Sequence, residues 1–289
     1  SLREIWPAPA KLNLFLHVVG RREDGYHLLQ SIFVLIDWMD RLHFERRDDG
    51  RLARHDLGGA DGVAALPDDD LCLRAARALQ SASGCTLGVD IHLDKRLPSG
   101  AGMGGGSSDA ASTLLALNRL WGLNLPRERL AALGLKLGAD VPFFIGGHNA
   151  FVEGIGERLT PLPVPRAWFA VVKPPAAIAT SAIFGSPLLV RNTEAVILAG
   201  FLADTAGGFG RNDLQAPAEA HCAEVGVARE ILQRRFGNAR MTGSGSAVFA
   251  RAGTGAEPTA AMPADLPPGW VGRMCRSLEQ HPLVGWAPD

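Results

Sequence analysis

Along the first fifty positions, apolar residues come in runs broken by charge. Leu12–Val19 and Leu29–Asp37 are apolar, partly alternating and rich in β-formers, and Arg41–Arg47 sets Leu42 and Phe44 between charged neighbours. These runs predict strands of an antiparallel sheet. In Asp70–Ser83, Leu71, Ala75, Ala78 and Leu79 stand at helical spacing, and Val89–Leu93 reads as another strand. A charged turn, Asp94-Lys95-Arg96, leads into a glycine-rich loop. A helix is expected after it from about Ser107 to Trp121, with Ala111, Leu114, Leu115 and Asn118 stepping round it. Pro126–Leu137 predicts a further short helix, with Pro126 suited to its first turn.

The stiff segment Pro161-Leu162-Pro163-Val164-Pro165 divides the chain into expected units at 1–160 and 161–289. Beyond it the pattern predicts a buried strand at Trp168–Val172 and helices near Thr193–Ala203 and Ala218–Arg235. Strands are expected around Ala239–Thr242 and Ala247–Arg251, and the Ala/Pro/Gly-rich stretch Gly253–Gly269 reads as a surface loop. Because βαβ alternation is not sustained, the order fits an α+β fold of two modest domains rather than a doubly wound sheet.

Composition narrows the function. A chain of 289 residues exceeds a typical single core, and its near-balance of 29 basic and 30 acidic side chains argues against nucleic acid or an anionic membrane as partner. Four cysteines show no metal-ligand or disulfide spacing, which points to free thiols in a reducing cytoplasm. No apolar run approaches the roughly 20 residues of a spanning helix, and Ser1–Glu4 carries no signal-peptide core.

The chemistry concentrates at Pro98-Ser99-Gly100-Ala101-Gly102-Met103-Gly104-Gly105-Gly106-Ser107-Ser108. Five glycines in seven residues let a backbone approach a ligand closely, and Ser107 and Ser108 open a helix whose free amides and positive dipole end suit a phosphate. Gly100-x-Gly102-x-x-Gly105 matches a dinucleotide fingerprint only formally. A charged turn separates it from its strand, and no acidic residue ends a second strand about 20 positions on. A Walker loop is excluded, since Ser107 stands where its lysine is required.

Pro98–Ala111 resembles the second motif of the GHMP kinases, with Met103 where leucine is usual. Pro9–Leu14 is similar to that family's N-terminal motif and Thr242–Ala247 to its C-terminal glycine motif, in the same order. The resemblance implies a two-domain fold with the active site in the cleft between domains, ATP and Mg²⁺ as cofactors, and phosphoryl transfer to an alcohol. It places the catalytic carboxylate at Asp140 and its cationic partner at Lys11. The nucleotide phosphates fall to Pro98, Gly100, Gly102, Gly104, Gly105, Gly106, Ser107 and Ser108 with Lys95 nearby, and a metal contact to Ser108, direct or through water. Asp24-Gly25-Tyr26-His27, Leu137–Phe143 and Arg191-Asn192-Thr193 resemble those members whose small-molecule substrate carries a cytidyl diphosphate. They imply substrate contacts from Asn13, Tyr26, His27, Asp140, Phe184, Gly243, Ser244 and Gly245, with the base held flat between His27 and Phe184. The resemblance is expected to fade beyond about Arg251. A monomer or homodimer is expected.

Overall fold

The structure is a computed structural model that describes residues 4–197 and 208–289. Two long strands begin the chain, β1 (Trp6–Arg21) and β2 (His27–Arg47), paired antiparallel through a tight turn at 22–26. β2 is one strand where two were expected. The acidic residues that interrupt its apolar pattern are satisfied in place, Asp37 Oδ1 accepting from Arg276 N at 2.8 Å and Asp40 Oδ1 from Leu97 N at 2.8 Å. Its first part pairs with β5 (Ala150–Gly154), and its last with β4 (Gly88–Asp94). With β3 (Leu52–Asp56) and β6 (Arg158–Pro161) these form a sheet in the order β3-β4-β2-β5-β6, to which β1 adds along β2.

Four helices cover one side of this sheet: α1 (Leu71–Ser83), α2 (Gly105–Leu120), α3 (Arg127–Leu137) and α4 (Val141–Gly146). Asp70 caps α1 by accepting from Leu73 N at 3.2 Å, and α2 is buried along almost its whole length in the core they share. Burial on all sides requires small or apolar residues throughout, which is what its Ala and Leu run supplies.

A second sheet has the order β10-β7-β9-β8, built from β7 (Trp168–Lys173), β8 (Arg240–Met241), β9 (Val248–Arg251) and β10 (Val271–Arg276). Helices α5 (Thr180–Phe184), α6 (Gln215–His221) and α7 (Ala223–Phe236) accompany it. The helix expected over Ala218–Arg235 is therefore two, broken where Cys222 takes an extended conformation. Of the helix expected at Thr193–Ala203, residues 193–197 are irregular and the rest lies outside the described residues. The stretch 253–269 has no regular structure, and β10 follows it.

The sheets share a core in which Ala10, Leu12, Val34 and Ile36 meet Phe169, Val171 and Phe249. We propose 1–160 and 161–289 as the two units, with one correction at the end of the chain. Residues 277–289 return to the first unit: Leu278 N donates to Leu35 O at 2.8 Å, and the rings of Trp6 and Trp286 lie 4.0 Å apart. Arg127 secures this tail through Ala287 O at 2.9 Å.

Candidate active site

Backbone contact knits the three glycine and lysine segments together. Lys11 N donates to Met103 O at 3.0 Å, Ser246 N to Gly100 O at 3.0 Å and Ala247 N to Ala101 O at 3.1 Å. The loop 98–104 is thus clasped between β1 and the turn 242–247. A Cβ on Gly102 would lie 2.3 Å from Thr242 O, and one on Gly243 would lie 2.7 Å from Gly102 O. With φ at +77°, Gly102 is doubly required to be glycine. Its first duty is therefore to let two protein backbones meet.

Lys11 and Asn13 sit on the face of β1 turned to this junction, and both are buried. The Lys11 ammonium donates to Asn13 Oδ1 and to Gly102 O at 3.1 Å, and lies 4.6 Å from the centre of the Phe33 ring. Burial pulls its pKa below the ordinary lysine value, while Asp140 pulls it back up. Asn13 is committed on both ends of its amide. Oδ1 also accepts from Gly243 N at 2.9 Å, and Nδ2 donates to Ser31 Oγ at 3.0 Å. Little of its hydrogen-bonding capacity is left for a substrate, so its main work is to hold Lys11 and the 242–247 turn in register.

Helix α2 starts two residues earlier than its sequence suggested, with Gly104 as N-cap at φ +69°. Glycine suits this cap, since φ is left-handed and a Cβ at Gly104 would meet the Phe144 ring at 3.0 Å, whereas Gly105 and Gly106 are helical despite their poor propensity. Ser107 and Ser108 are consequently within the first turn and are not its caps. Ser108 N donates to Gly104 O at 2.8 Å and closes the first helical bond, which leaves the amides of Gly105, Gly106 and Ser107 ahead of it outside the helical ladder. Ser108 Oγ is buried and has no hydrogen-bond partner among the described residues.

Lys95 is placed differently from a free phosphate ligand. Its ammonium donates to Asp40 at 2.7 Å and to Asp109 at 2.9 Å, with the side chain 11% exposed. Burial alone would lower its pKa, but Asp109 and Asp40 raise it above the ordinary lysine value, so the charge is retained. Burial raises the Asp109 carboxyl well above its usual range, with Lys95 opposing and Asp40 reinforcing. This ion triad lies directly under the start of α2, since a Cβ on Gly105 would meet Lys95 Nζ at 3.1 Å.

Asp140 precedes α4 and makes no capping bond to it, which argues against a purely structural aspartate. Its carboxylate instead lines a cavity of about 840 Å³ together with Lys11, Asn13, Gly102, Gly104, Gly243 and Ser244. Tyr26, His27 and Phe184 line the same cavity, as do Arg21 and Asp24 from the β1–β2 turn. Pro98, Gly100, Gly105, Gly106, Ser107, Ser108, Lys95 and Gly245 do not line it. The site residues thus fall into one open chamber holding Lys11 and Asp140 and one glycine-rich shoulder beside it. The base platform differs from expectation: the His27 and Phe184 rings lie 4.7 Å apart and tilted by 39°, in contact with each other. A base stacked on both sides needs two contact spacings of about 3.5 Å, or about 7 Å in all, which the two rings do not leave in this arrangement.

The comparisons with known proteins agree with this geometry. Residues 70–148 match the GHMP kinases N terminal domain and residues 198–262 match the GHMP kinases C terminal domain. A 4-diphosphocytidyl-2-C-methyl-D-erythritol kinase of Methylibium petroleiphilum is 69% identical over 283 residues, covering 97% of this chain and 96% of that protein. The chain belongs to the GHMP kinases. A second such relative, from a Polaromonas species, is 57% identical over 291 residues, covering 97% of this chain and 93% of that protein. The crystal structure of a 4-(cytidine 5'-diphospho)-2C-methyl-D-erythritol kinase superposes with a TM-score of 0.74 at 37% identity, covering 86% of this chain and 90% of its own. A homoserine kinase from Cytophaga hutchinsonii, 16% identical with a TM-score of 0.67 and covering 97% of this chain and 96% of its own, shares the GHMP kinase fold. Coverage of 97% at 69% identity corrects the expectation that likeness fades beyond Arg251. As a kinase of this family the chain uses ATP.

Several residues that shape the site were not singled out from sequence. Asp40 and Asp109 were hidden because a carboxylate reads as exposed until its partner lysine is placed against it. Arg21 lies just ahead of the Asp24–His27 segment and had only proximity as a signal.

Proposed function

We propose that this GHMP kinase transfers the γ-phosphoryl group of ATP to the 2-hydroxyl of 4-diphosphocytidyl-2-C-methyl-D-erythritol, releasing ADP, in the methylerythritol phosphate route to isopentenyl diphosphate. The observation that carries the reading is the pairing of Lys11 and Asp140 in one chamber beside the open first turn of α2. The likeness to kinases named for that substrate supports the choice of acceptor.

In this reading Asp140 accepts the proton of the attacking hydroxyl as the oxygen bonds to the γ-phosphorus and the bond to the ADP oxygen breaks. Lys11 stabilises the Asp140 carboxylate and the developing charge on the attacking oxygen. Gly104, Gly105, Gly106 and Ser107 offer backbone amides to the ATP phosphates, and the α2 dipole adds to them. The Lys95 triad acts beneath them as a buried support. Gly243 and Ser244 complete the lining of the chamber.

Among the described residues no three His, Cys, Asp or Glu side chains converge on a metal position. That suits Mg²⁺, which keeps several waters and is held mainly by substrate phosphates. The orphaned Ser108 hydroxyl fits as the protein oxygen facing it. When bound, the ion would neutralise phosphate charge; the proton and hydroxyl remain in the charge of Asp140 and Lys11.

No helix among the described residues is long and apolar enough to cross a membrane. Four free cysteines fit a reducing compartment, and we infer a cytoplasmic enzyme with a small-molecule acceptor. The test is a coupled ADP-release assay across a panel of alcohols with and without a cytidyl diphosphate. Turnover confined to the cytidyl diphosphate compound supports the assignment. Equal turnover of free methylerythritol, homoserine or mevalonate would remove it.

A further inference from the structure

Arg191 opens the segment Arg191-Asn192-Thr193, does not line the chamber, and yet reaches two of its walls at once. Its Nε donates to His27 Nε2 at 3.0 Å. From the same guanidinium Nη2 donates to Phe184 O at 2.6 Å and Ser186 O at 3.3 Å, and Nη1 to Leu189 O at 3.3 Å. Two residues on, Thr193 N donates to Val18 O at 3.0 Å, which ties the segment to β1. The arginine is thus a bracket between the start of β2 and the end of α5.

The bracket has a chemical consequence. A guanidinium is always protonated and every one of its polar hydrogens donates, so the imidazole nitrogen it meets must be the bare one. The ring hydrogen of His27 is then on Nδ1, opposite to the Nε2–H form that an unconstrained histidine favours. We propose that Arg191 is a positioning residue of the acceptor pocket: it fixes His27 as the Nδ1–H tautomer, presenting one N–H donor to the acceptor, and ties that ring to the wall carrying Phe184. Burial first, then Arg191 and Arg21, lower the His27 pKa, in keeping with a ring that stays uncharged near neutrality.

This changes what His27 can recognise. A ring held by its Nε2 and touching Phe184 is an edge-on donor, matched to a carbonyl oxygen or bare ring nitrogen on the ligand. The pyrimidine of a cytidyl group carries both. The choice of that ligand rests on the function proposed above, whereas the tautomer follows from the Arg191 contact alone.

The experiment is a long-range ¹H–¹⁵N correlation spectrum of the histidine-labelled enzyme, with Arg191→Met and Arg191→Lys beside it and His27→Gln for assignment. In the unaltered protein His27 should show a protonated Nδ1 and a bare Nε2, a measurement that needs no variant to fold. Arg191→Met should shift the ring to Nε2–H and raise the acceptor KM about tenfold or more, with the ATP KM changed less than about twofold. Arg191→Lys, which keeps one donor for Nε2 but cannot span the carbonyls, should retain Nδ1–H and lose less. An Nε2–H tautomer in the unaltered protein, or equal rises in both KM values, overturns the assignment. The spectrum uses no acceptor, so it decides the role of Arg191 separately; a wrong acceptor would show instead as absent cytidine-dependent turnover by the unaltered enzyme.

Discussion

Replacing Asn13 with alanine tests whether the buried amide is a structural knot. Its Oδ1 takes the Gly243 amide at 2.9 Å and the Lys11 ammonium, and its Nδ2 holds Ser31 at 3.0 Å. Asn13 is 2% exposed, and water cannot readily replace those partners. Losing the oxygen leaves one backbone N–H and one ammonium hydrogen unpaired, at about 1–3 kcal/mol each, while the Thr242 hydroxyl, 3.3 Å from Oδ1, can turn to Gly102 O at 3.4 Å. The Lys11 bond to Gly102 O survives, so the total loss should be about 2–5 kcal/mol. For a protein of this size that corresponds to a fall in Tm of about 3–8 °C. Calorimetry on the purified variant measures it directly. Asn13→Asp keeps an acceptor for both groups and should lose clearly less, although Ser31 Oγ, whose own hydrogen goes to Phe15 O, then loses the donor it had in Asn13 Nδ2. A Tm within about 2 °C of the parent for Asn13→Ala would refute the knot.

Gly102→Ala should cost several kcal/mol and depress ATP affinity together with Tm, because its methyl would strike the Thr242 carbonyl and its φ is left-handed; a stable variant with weakened ATP binding alone would contradict the packing role. His281 gives a pH signature. Its pKa is lowered to about 4 by burial and then by Arg127, and Leu283 N donates to its Nδ1, which requires that nitrogen bare. The unfolded chain takes up a proton near pH 6.5 and the folded chain does not until about 4. Stability is therefore lost as pH falls through that window, by about 3 kcal/mol at most from this group. His281→Gln should flatten the Tm-against-pH curve between those limits, and an unchanged slope would count against it.

The chemistry was more legible in the sequence than the packing. The loop 98–108 suits a phosphate by its residue types alone, whereas Lys11 and Asp140 were pointed to by the GHMP kinase resemblance, and the structure brings these two into one chamber. What local pattern could not show was partnership across the chain. Gly102 was read as an approach for phosphate, yet it meets Thr242, 140 positions away. Lys95 was read as a nucleotide contact, and its carboxylate partners Asp40 and Asp109 come from β2 and α2. The same limit explains β2, where Asp37 and Asp40 suggested a break until distant amides were placed against them. Strand β10 went unread because its sequence, Val-Gly-Arg-Met-Cys-Arg, alternates weakly and it is recognisable only by pairing with β7.

Single-turnover phosphoryl transfer by Asp140→Asn tests the site most directly. The substitution keeps the shape at the start of α4, where the side chain makes no capping bond, and removes the proton acceptor beside Lys11. With ATP and acceptor both bound, rapid quenching should show transfer slowed by about 10²–10⁴, the contribution of a positioned acid or base. Both dissociation constants should stay near those of the parent. Transfer within a few-fold of the parent at unchanged affinities would contradict the assignment of Asp140 as the group that takes the proton.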